Sequence, residues 1–288
     1  MQRVSGLAYT VFLAQLNRNF NANLLIMSKY LYLFIVTLTL SSMVILGCAR
    51  PTDSPDPLAN TANVRVLHFS PGAPAVNLQI NGSRPRVAPG STAPDTIRYL
   101  DNRPYYNVPA GSVVVSLTSA RTFAIPNPPP LSLSTTIQAE GNQARYTVAL
   151  TDTFPSTSLT VYRDTSVAPT FETIPPGRSL VRVVHLSRNA PAVRPVLRVS
   201  GGSDSVRTFS DISFRQASGY LLVNSGTGTL QLLNPATQAP ITSFTVAVPG
   251  PGLGSAAPTP GFIYTIYVRG LVGATGATAL GTTIVRDN

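Results

Sequence analysis

Residue types that build catalytic or metal centres are scarce in this chain of 288 residues. It has no tryptophan, one cysteine, two histidines and only 11% charged residues. A single cysteine excludes an internal disulfide framework and a cysteine-rich metal site. A charged fraction well below the usual value of roughly a quarter excludes a disordered polyelectrolyte. The chain has instead 26 prolines, 21 glycines and 43% apolar residues, a composition that disfavours long helices and supplies enough apolar side chains for folded cores.

An apolar run near the N-terminus predicts a signal peptide. Residues 30–47 carry no charge, Lys29 precedes them and Cys48 follows them. A short positive segment followed by an apolar segment is typical of such signals. The sequence Ile-Leu-Gly-Cys at 45–48 resembles the lipobox of bacterial lipoproteins, which implies cleavage before Cys48 and lipid attachment to its sulfur and new amino group. The lipid on Cys48 would then hold the chain on a membrane, although 18 apolar residues also reach the lower limit of a transmembrane helix.

The segments on either side of this run complete the predicted N-terminal organisation. We interpret residues 1–26 as a start-site extension, with a long positive leader as the alternative, and residues 27–47 as the signal peptide. Residues 48–62 form a Pro-rich tether, which in extended form could hold a domain roughly 40 Å from the membrane. Cys48 is followed by Ala49 rather than Asp. In lipoproteins of the enteric type this pattern implies the outer membrane of a Gram-negative bacterium, on its periplasmic or its surface face.

An internal repeat divides the rest of the chain into two domains. Residues 64–76 read VRVLHFSPGAPAV and residues 181–193 read VRVVHLSRNAPAV, with nine of thirteen positions identical. A period of more than one hundred residues indicates tandem domains rather than a solenoid. We therefore predict a first copy over 63–164, a linker over 165–177 and a second copy over 178–288.

Within each copy, short segments rich in Val, Thr, Tyr and Leu alternate with Gly, Pro, Asn and Ser clusters, which is typical of strands. Eight strands per copy without a helical period predict an all-β fold of two tandem immunoglobulin-like antiparallel β-sandwich domains. Alternation along the first strand places Arg65 and Leu67 on the face opposite to Val66 and His68. The predicted strands cover 63–69, 76–80, 97–100, 105–108, 112–119, 133–139, 145–151 and 159–163, and then 180–186, 195–199, 206–210, 219–223, 228–233, 241–248, 262–269 and 281–286.

Three motifs of the first copy resemble the bacterial extracytoplasmic family called domain of unknown function 4397. They are VRVLHFSPGAPAVNLQING at 64–82, VPAG at 108–111 and YTV at 146–148. The second copy keeps VRVVHLS and APAV. The resemblance implies a fold and a compartment, and it implies no activity because the family has none assigned. Both copies lack two acidic positions of the family pattern, at Gly72 and Asn77 in the first and at Asn189 and Arg194 in the second.

The sequence offers no arrangement that identifies a catalytic or metal site. His68 and His185 occupy equivalent repeat positions, so we expect each to donate a hydrogen bond to a turn carbonyl, with a ligand contact or metal and catalytic chemistry as alternatives. The eleven carboxylates are scattered, and a glycosidase pair among them stays possible. The motifs for a nucleophile elbow, a phosphate-binding loop, a calcium loop and a zinc site are missing. We therefore predict no catalytic residues, no metal and no cofactor.

The positive charge of the chain is concentrated in the second copy. Residues 178–288 hold nine arginines against three acidic residues. Guanidinium groups pair well with phosphate and carboxylate, so an anionic glycan or an acidic envelope protein is a possible partner, while scattered solvated arginines are the alternative. Nucleic acid is not expected, because it favours clustered cations with aromatic residues. The candidate anion-binding residues are Arg182, Arg194, Arg198, Arg207 and Arg215.

Together these features favour a non-enzymatic, lipid-anchored cell-envelope protein whose tandem sandwiches bind or space an unidentified ligand. An accessory subunit of an envelope complex is the first alternative. A carbohydrate-active hydrolase is a less favoured one.

Overall fold

A computed structural model describes residues 60–86, 96–120, 130–164, 174–175, 177–199, 205–249 and 262–287. The predictions for the signal peptide, for Cys48 and for most of the tether lie outside these residues, as does most of the predicted linker. The first strand begins at Thr61, two residues before the predicted start of the first copy. Within the described residues, no helix has the length and the apolar character needed to cross a membrane.

The first sandwich consists of eight strands: β1 (Thr61–His68), β2 (Val76–Ile80), β3 (Thr96–Ile97), β4 (Tyr106–Pro109), β5 (Gly111–Ser119), β6 (Ser132–Ala139), β7 (Ala144–Thr151) and β8 (Ser158–Asp164). They form two four-stranded sheets with the orders β4-β1-β7-β8 and β3-β2-β5-β6. β1 and β7 run parallel, and the other neighbours run antiparallel.

The second sandwich repeats this arrangement with β9 (Arg178–His185), β10 (Arg194–Val199), β11 (Val206–Thr208), β12 (Leu221–Asn224), β13 (Gly226–Leu233), β14 (Pro240–Val248), β15 (Phe262–Arg269) and β16 (Gly281–Arg286). Its sheets have the orders β12-β9-β15-β16 and β11-β10-β13-β14, with β9 parallel to β15. The prediction of an all-β fold with two sandwich domains is confirmed. An immunoglobulin constant domain has sheets of four and three strands, so the likeness is one of architecture rather than of connectivity.

Each sandwich has a hydrophobic core of its own. In the first, Val66 of β1 packs with Leu78 of β2 and Leu117 of β5, and all three are fully buried. In the second, Val183 and Leu230 occupy comparable places. Side chains alternate between the two faces of a strand, so these residues point into one sandwich. Nevertheless, the second halves of β1 and β9 are also buried on the opposite face, at Arg65 and Leu67 and at Arg182 and Val184. Something therefore covers this part of both strands.

Candidate functional site

The covered face of each central sheet lies against the other sandwich. Both sandwiches belong to one compact unit, Asp56–Asn288, and a third apolar cluster contains residues from both of them. Within it, the rings of Phe69 and Tyr267 are 5.0 Å apart. This contact region, which we call the interface, joins sheet β4-β1-β7-β8 to sheet β12-β9-β15-β16. Its buried apolar residues are Leu67, Phe69, Ala149, Tyr162, Val184, Leu186, Tyr267 and Val285.

Arg65 of β1 reaches across the interface into the second sandwich. Its side chain is 1% exposed. The Nε donates to Oγ1 of Thr147 at 2.8 Å, the Nη1 donates to the carbonyl oxygen of Arg286 at 2.7 Å, and the Nη2 pairs with the carboxylate of Asp287. The threonine belongs to the same sandwich as Arg65, whereas Arg286 ends β16 and Asp287 follows it in the second sandwich. One guanidinium therefore links the two sandwiches with two directed hydrogen bonds, while a third fixes it within its own sandwich.

Arg182 of β9 makes the same set of contacts in the opposite direction. Its Nε donates to Oγ1 of Thr265 at 2.8 Å, its Nη1 donates to the carbonyl oxygen of Arg163 at 2.9 Å, and its Nη2 pairs with Asp164. Asp164 is the last residue of β8, and Asp287 comes directly after β16. The two exchanges are thus related by an approximate two-fold axis. We call Arg65, Asp164, Arg182 and Asp287 the Arg–Asp cluster.

Each aspartate is also held from within its own sandwich. Asp164 accepts a hydrogen bond from Thr147 and one from the Tyr105 hydroxyl at 2.8 Å. Asp287 accepts one from Thr265 at 2.6 Å and one from Tyr220 at 3.0 Å. The same tyrosine rings lie under the guanidinium groups, with the Arg65 Cζ 4.6 Å from the centre of the Tyr105 ring and the Arg182 Cζ 4.9 Å from that of Tyr220. Buried charges are tolerated when they are paired and fully hydrogen-bonded in this way.

Burial dominates the electrostatics of the Arg–Asp cluster. Desolvation raises the pKa of Asp164 above its ordinary value, against the opposing effect of the Arg182 guanidinium. Desolvation also raises the pKa of Tyr105 and of Tyr220, so both hydroxyls stay protonated and act as donors. Two arginines and two aspartates give the cluster no net charge. Since its side chains are at most 5% exposed, the arrangement is suited to holding the sandwiches together rather than to binding a ligand from solution.

Two of the five candidate anion-binding arginines lie at the interface. Arg182 is committed to Asp164, and an anion in solution cannot reach it. Arg215 pairs with Asp152 of the first sandwich and donates to the hydroxyl of Ser158. Its side chain is 38% exposed. Both residues therefore serve contacts between the sandwiches.

The other three candidates lie away from the interface. Arg194 forms a two-pronged ion pair with Asp211, at 2.6 and 2.8 Å. The Nε of Arg207 donates to the carbonyl oxygen of Leu222 at 2.8 Å. Arg198 is exposed on the outer face of β10, and it has no hydrogen-bond or ion-pair partner within the described part of the chain. Of the five, only Arg198 presents an exposed guanidinium without such a partner.

The two histidines have the structural role expected from their repeat positions. The Nε2 of His68 lies 3.1 Å from the carbonyl oxygen of Pro74, and its Nδ1 accepts from the backbone N–H of Ser70. His185 repeats the pattern, with its Nε2 3.0 Å from the carbonyl oxygen of Pro191. These contacts fit a neutral ring with the proton on Nε2, and burial lowers the pKa of both histidines. The prediction that each donates to a turn carbonyl is confirmed.

Each of the six carboxylates in the described residues pairs with an arginine. The pairs are Asp101–Arg103, Glu140–Arg163, Asp152–Arg215, Asp164–Arg182, Asp211–Arg194 and Asp287–Arg65. Across the same residues, no group of three or more His, Cys, Asp or Glu side chains could hold a metal ion.

Sequence reasoning did not identify the Arg–Asp cluster, although its signal was present. Arg65 and Arg182 occupy the same repeat position, each between two valines, and Arg-Asp ends the last strand region of both copies, at 163–164 and 286–287. What could not be read from the repeat is that each aspartate is held by the arginine of the other copy.

Residues 62–195 match the model of a family described as Domain of unknown function (DUF4397). The match begins within β1, contains the rest of the first sandwich and ends at the second residue of β10. The resemblance stated for the first copy is therefore supported by the family model, which assigns no activity. Among curated proteins, no relative matches this chain.

Proposed function

We propose that this chain is a non-enzymatic, lipid-anchored protein of the cell envelope. In this proposal both sandwiches are copies of the same family domain, and they act as one rigid unit that binds or spaces a partner. The lipobox-like sequence ending at Cys48 supports the anchor. The identical strand orders of the two sandwiches support the duplication.

The reciprocal exchange of ion pairs in the Arg–Asp cluster is the observation that supports a rigid unit. A hinge motion between the sandwiches would break one or both exchanges and leave buried charges without partners. Removing one partner from a buried ion pair costs about 3–5 kcal/mol, so bending at this place is strongly opposed. A domain pair held in this way keeps a fixed distance and orientation, as a spacer or a two-domain binding platform requires.

The pairing of carboxylates supports a non-enzymatic role. A glycosidase needs one carboxyl group that is protonated near neutral pH and a second carboxylate facing it across the sugar. An arginine partner favours the ionised form, and all six described carboxylates have one. Burial raises the pKa of Asp164 despite its partner, but the Asp164 side chain is completely buried and out of reach of a sugar. Turnover of any substrate in a panel of neutral and acidic polysaccharides, retained after purification of the full chain, would contradict this part of the proposal.

Lipid attachment can be tested directly, because Cys48 is the only cysteine of the chain. We expect cells fed a palmitate analogue to label the wild-type protein, and Cys48→Ala to lose the label and to keep its leader. Protease treatment of intact cells, with lysed cells as the digestion reference, then distinguishes the surface face from the periplasmic face. An unlabelled wild-type protein with an uncut leader would refute the anchor.

An anionic glycan or an acidic envelope protein is the partner proposed for the second sandwich. Arg198 supports this choice, because it is exposed on β10 without an ion-pair partner in the described residues, and alternation places Arg194 on the same face. We expect Arg198→Ala to weaken binding of lipopolysaccharide or a sulfated glycan roughly two- to five-fold, the range of one exposed ion pair. Arg84→Ala, at an exposed position of the first sandwich, is the control. Equal weakening by both variants would indicate attraction by net charge alone.

The role of an accessory subunit is the second candidate, and the edge strand β14 favours it. Its nine residues carry no charge, whereas exposed edges usually carry charged residues that prevent pairing. We expect Thr245→Lys on β14 to abolish crosslinking to an exported partner protein. Thr229→Lys, at the register neighbour on the interior strand β13, should preserve it. Loss of crosslinking with both variants would argue against recognition through the edge.

A further inference from the structure

Each sandwich is structurally complete without the other. The core of the first is formed by residues of β1–β8 and their connections, and the core of the second by residues of β9–β16 and theirs. Among the described residues, every sheet draws its strands from one sandwich only. Separation of the sandwiches would therefore open the interface and leave both cores intact.

The polar contacts of the two sides of the interface are reciprocal. Each sandwich offers an arginine to the other and receives the arginine of the other at an aspartate, as in an isologous dimer contact. The supporting residues are duplicated as well. The equivalent pairs are Arg65 and Arg182, Thr147 and Thr265, Asp164 and Asp287, and Tyr105 and Tyr220.

The apolar residues of the two sides differ at four equivalent pairs, namely Leu67 and Val184, Phe69 and Leu186, Ala149 and Tyr267, and Tyr162 and Val285. Ala149 of β7 and Tyr267 of β15 occupy equivalent register positions, opposite Leu67 of β1 and Val184 of β9. Both are completely buried at the interface. The first sandwich has the larger residues at Phe69 and Tyr162, and the second has the larger one at Tyr267. Two like sandwiches would therefore be overpacked at some of these positions and underpacked at others. Overpacking and cavities both destabilise a contact, so the favoured pair is one first sandwich with one second sandwich.

We propose that the interface is a docking surface for a second copy of this chain, giving a dimer in which the first sandwich of each chain binds the second sandwich of the other. The partner surface is the same as within one chain, so the exchanged dimer needs no new contacts. Within the predicted linker, Ile174 is buried and the carbonyl oxygen of Gly177 accepts a hydrogen bond from Ser225. The connection available for exchange is therefore residues 165–173, which span at most about 32 Å when extended. Pairing within a chain is favoured when chains are dilute, and exchange is favoured when they are crowded, as on a membrane. The inference does not depend on the lipid or on the ligand of the proposed function.

The test uses the full chain with a protease site inserted within residues 165–173. Isotope-labelled and unlabelled chains are mixed, concentrated and incubated together, and the linker is then cut. Native mass spectrometry weighs the resulting complexes of one first and one second sandwich. The exchanged dimer predicts complexes that combine a labelled half with an unlabelled half, well above the level in chains that are cut separately and then mixed for the same time.

Two results would overturn the proposal. Halves that separate as soon as the linker is cut would show that the interface is too weak to dock a partner. Complexes whose halves all carry the same label would show that chains do not exchange. The variant Arg65→Ala should lower the mixed fraction, whereas the exposed control Arg84→Ala should leave it unchanged. An equal loss with both would show that the docking is not specific to the Arg–Asp cluster.

Discussion

The two sandwiches share the polar residues through which they meet, and they differ in the charge of the sheets that face outward. At the interface, both use an arginine, a threonine, a tyrosine and an aspartate with the same hydrogen bonds. On the outer sheets, the first sandwich has no charged residue in β2, β3, β5 or β6, while the second has Arg194 and Arg198 on β10 and Arg207 on β11. The polar residues that join the two sandwiches are thus the same in both, and the charged residues of the outer sheets differ. If the copies bind different ligands, the outer sheets are where this difference arises.

The largest loss of stability is expected when either arginine of the Arg–Asp cluster is removed. We expect Arg65→Ala and Arg182→Ala each to lower the free energy of unfolding by about 3–5 kcal/mol, because each leaves a buried aspartate without its cation. Urea denaturation measures this value, and Arg198→Ala, at an exposed site, should change it by at most about 0.5 kcal/mol. If the two variants lost clearly different free energies of unfolding, the two exchanges would be alike in geometry and unequal in stabilisation.

Acidification tests whether the two histidines are equivalent as well. Since burial lowers the pKa of both in the folded state, the stability they contribute is present above pH 6.5 and is lost as the pH falls through the folded values. Each histidine adds a slope of up to about 1.4 kcal/mol per pH unit. We expect His68→Gln and His185→Gln each to remove about half of the loss measured by urea denaturation between pH 7.5 and pH 5.

Asp164 has the opposite pH dependence, which separates its contribution from that of the histidines. Its pKa is raised by burial, so its stabilising contribution is present at low pH and is lost as the pH rises. If a variant with both His68→Gln and His185→Gln lost as much stability between pH 7.5 and pH 5 as the wild type, the histidines would not be the source of that loss.

A smaller effect is expected at Tyr267, which occupies the position of Ala149 in the first sandwich. The hydroxyl of Tyr267 is buried without a hydrogen-bond partner in the described residues, and an unpaired buried polar group is costly. We therefore expect Tyr267→Phe to raise the free energy of unfolding by about 1 kcal/mol, measured by thermal and urea denaturation. Tyr264→Phe, whose ring lies in the core of the second sandwich and is 5% exposed, is the comparison, and a gain of equal size there would refute the explanation.

The smallest effect is expected at an exposed ion pair of the second sandwich. Arg194 and Asp211 form a two-pronged ion pair at the surface. Such exposed pairs contribute about 0–1 kcal/mol to the free energy of unfolding. Arg194→Ala should therefore lower the free energy of unfolding by at most that amount, and added salt should reduce the difference further. A loss comparable with that of Arg65→Ala would mean that burial is not what distinguishes the two kinds of pair.

Strands were predictable because their signals are local. The predicted strand 112–119 corresponds to β5 (Gly111–Ser119). The short strand β3 shows a case in which local signals were not sufficient. It was predicted over 97–100 and covers only Thr96–Ile97. The backbone N–H of Leu100 instead bonds to the carbonyl oxygen of His68, and the carboxylate of Asp101 accepts from the N–H of Arg98. Both bonds draw the chain out of the sheet, and the first depends on a residue more than thirty positions away.

The Arg–Asp cluster shows even more clearly that local sequence signals do not predict long-range contacts. Alternation along β9 places Arg182 on the face opposite to its core, and from the sequence that face could as well have been exposed to solvent. Arg182 was therefore a reasonable candidate for binding an anion, and it lies at the interface because the first sandwich covers it. Which sheet covers which, and which aspartate meets which arginine, depends on contacts between residues about twenty to more than two hundred positions apart in sequence.

By itself, the sequence determined the all-β class, the strand pattern of the two sandwiches and the hydrogen bonds from the histidines to turn carbonyls. These features follow from side-chain alternation and from turn residues, which act within a few positions of the chain. Only the tertiary structure decided that the copies meet through two buried arginines and two buried aspartates. The physical reason is that burial of a charge requires partners on all sides, and those partners come from strands that only the fold brings together.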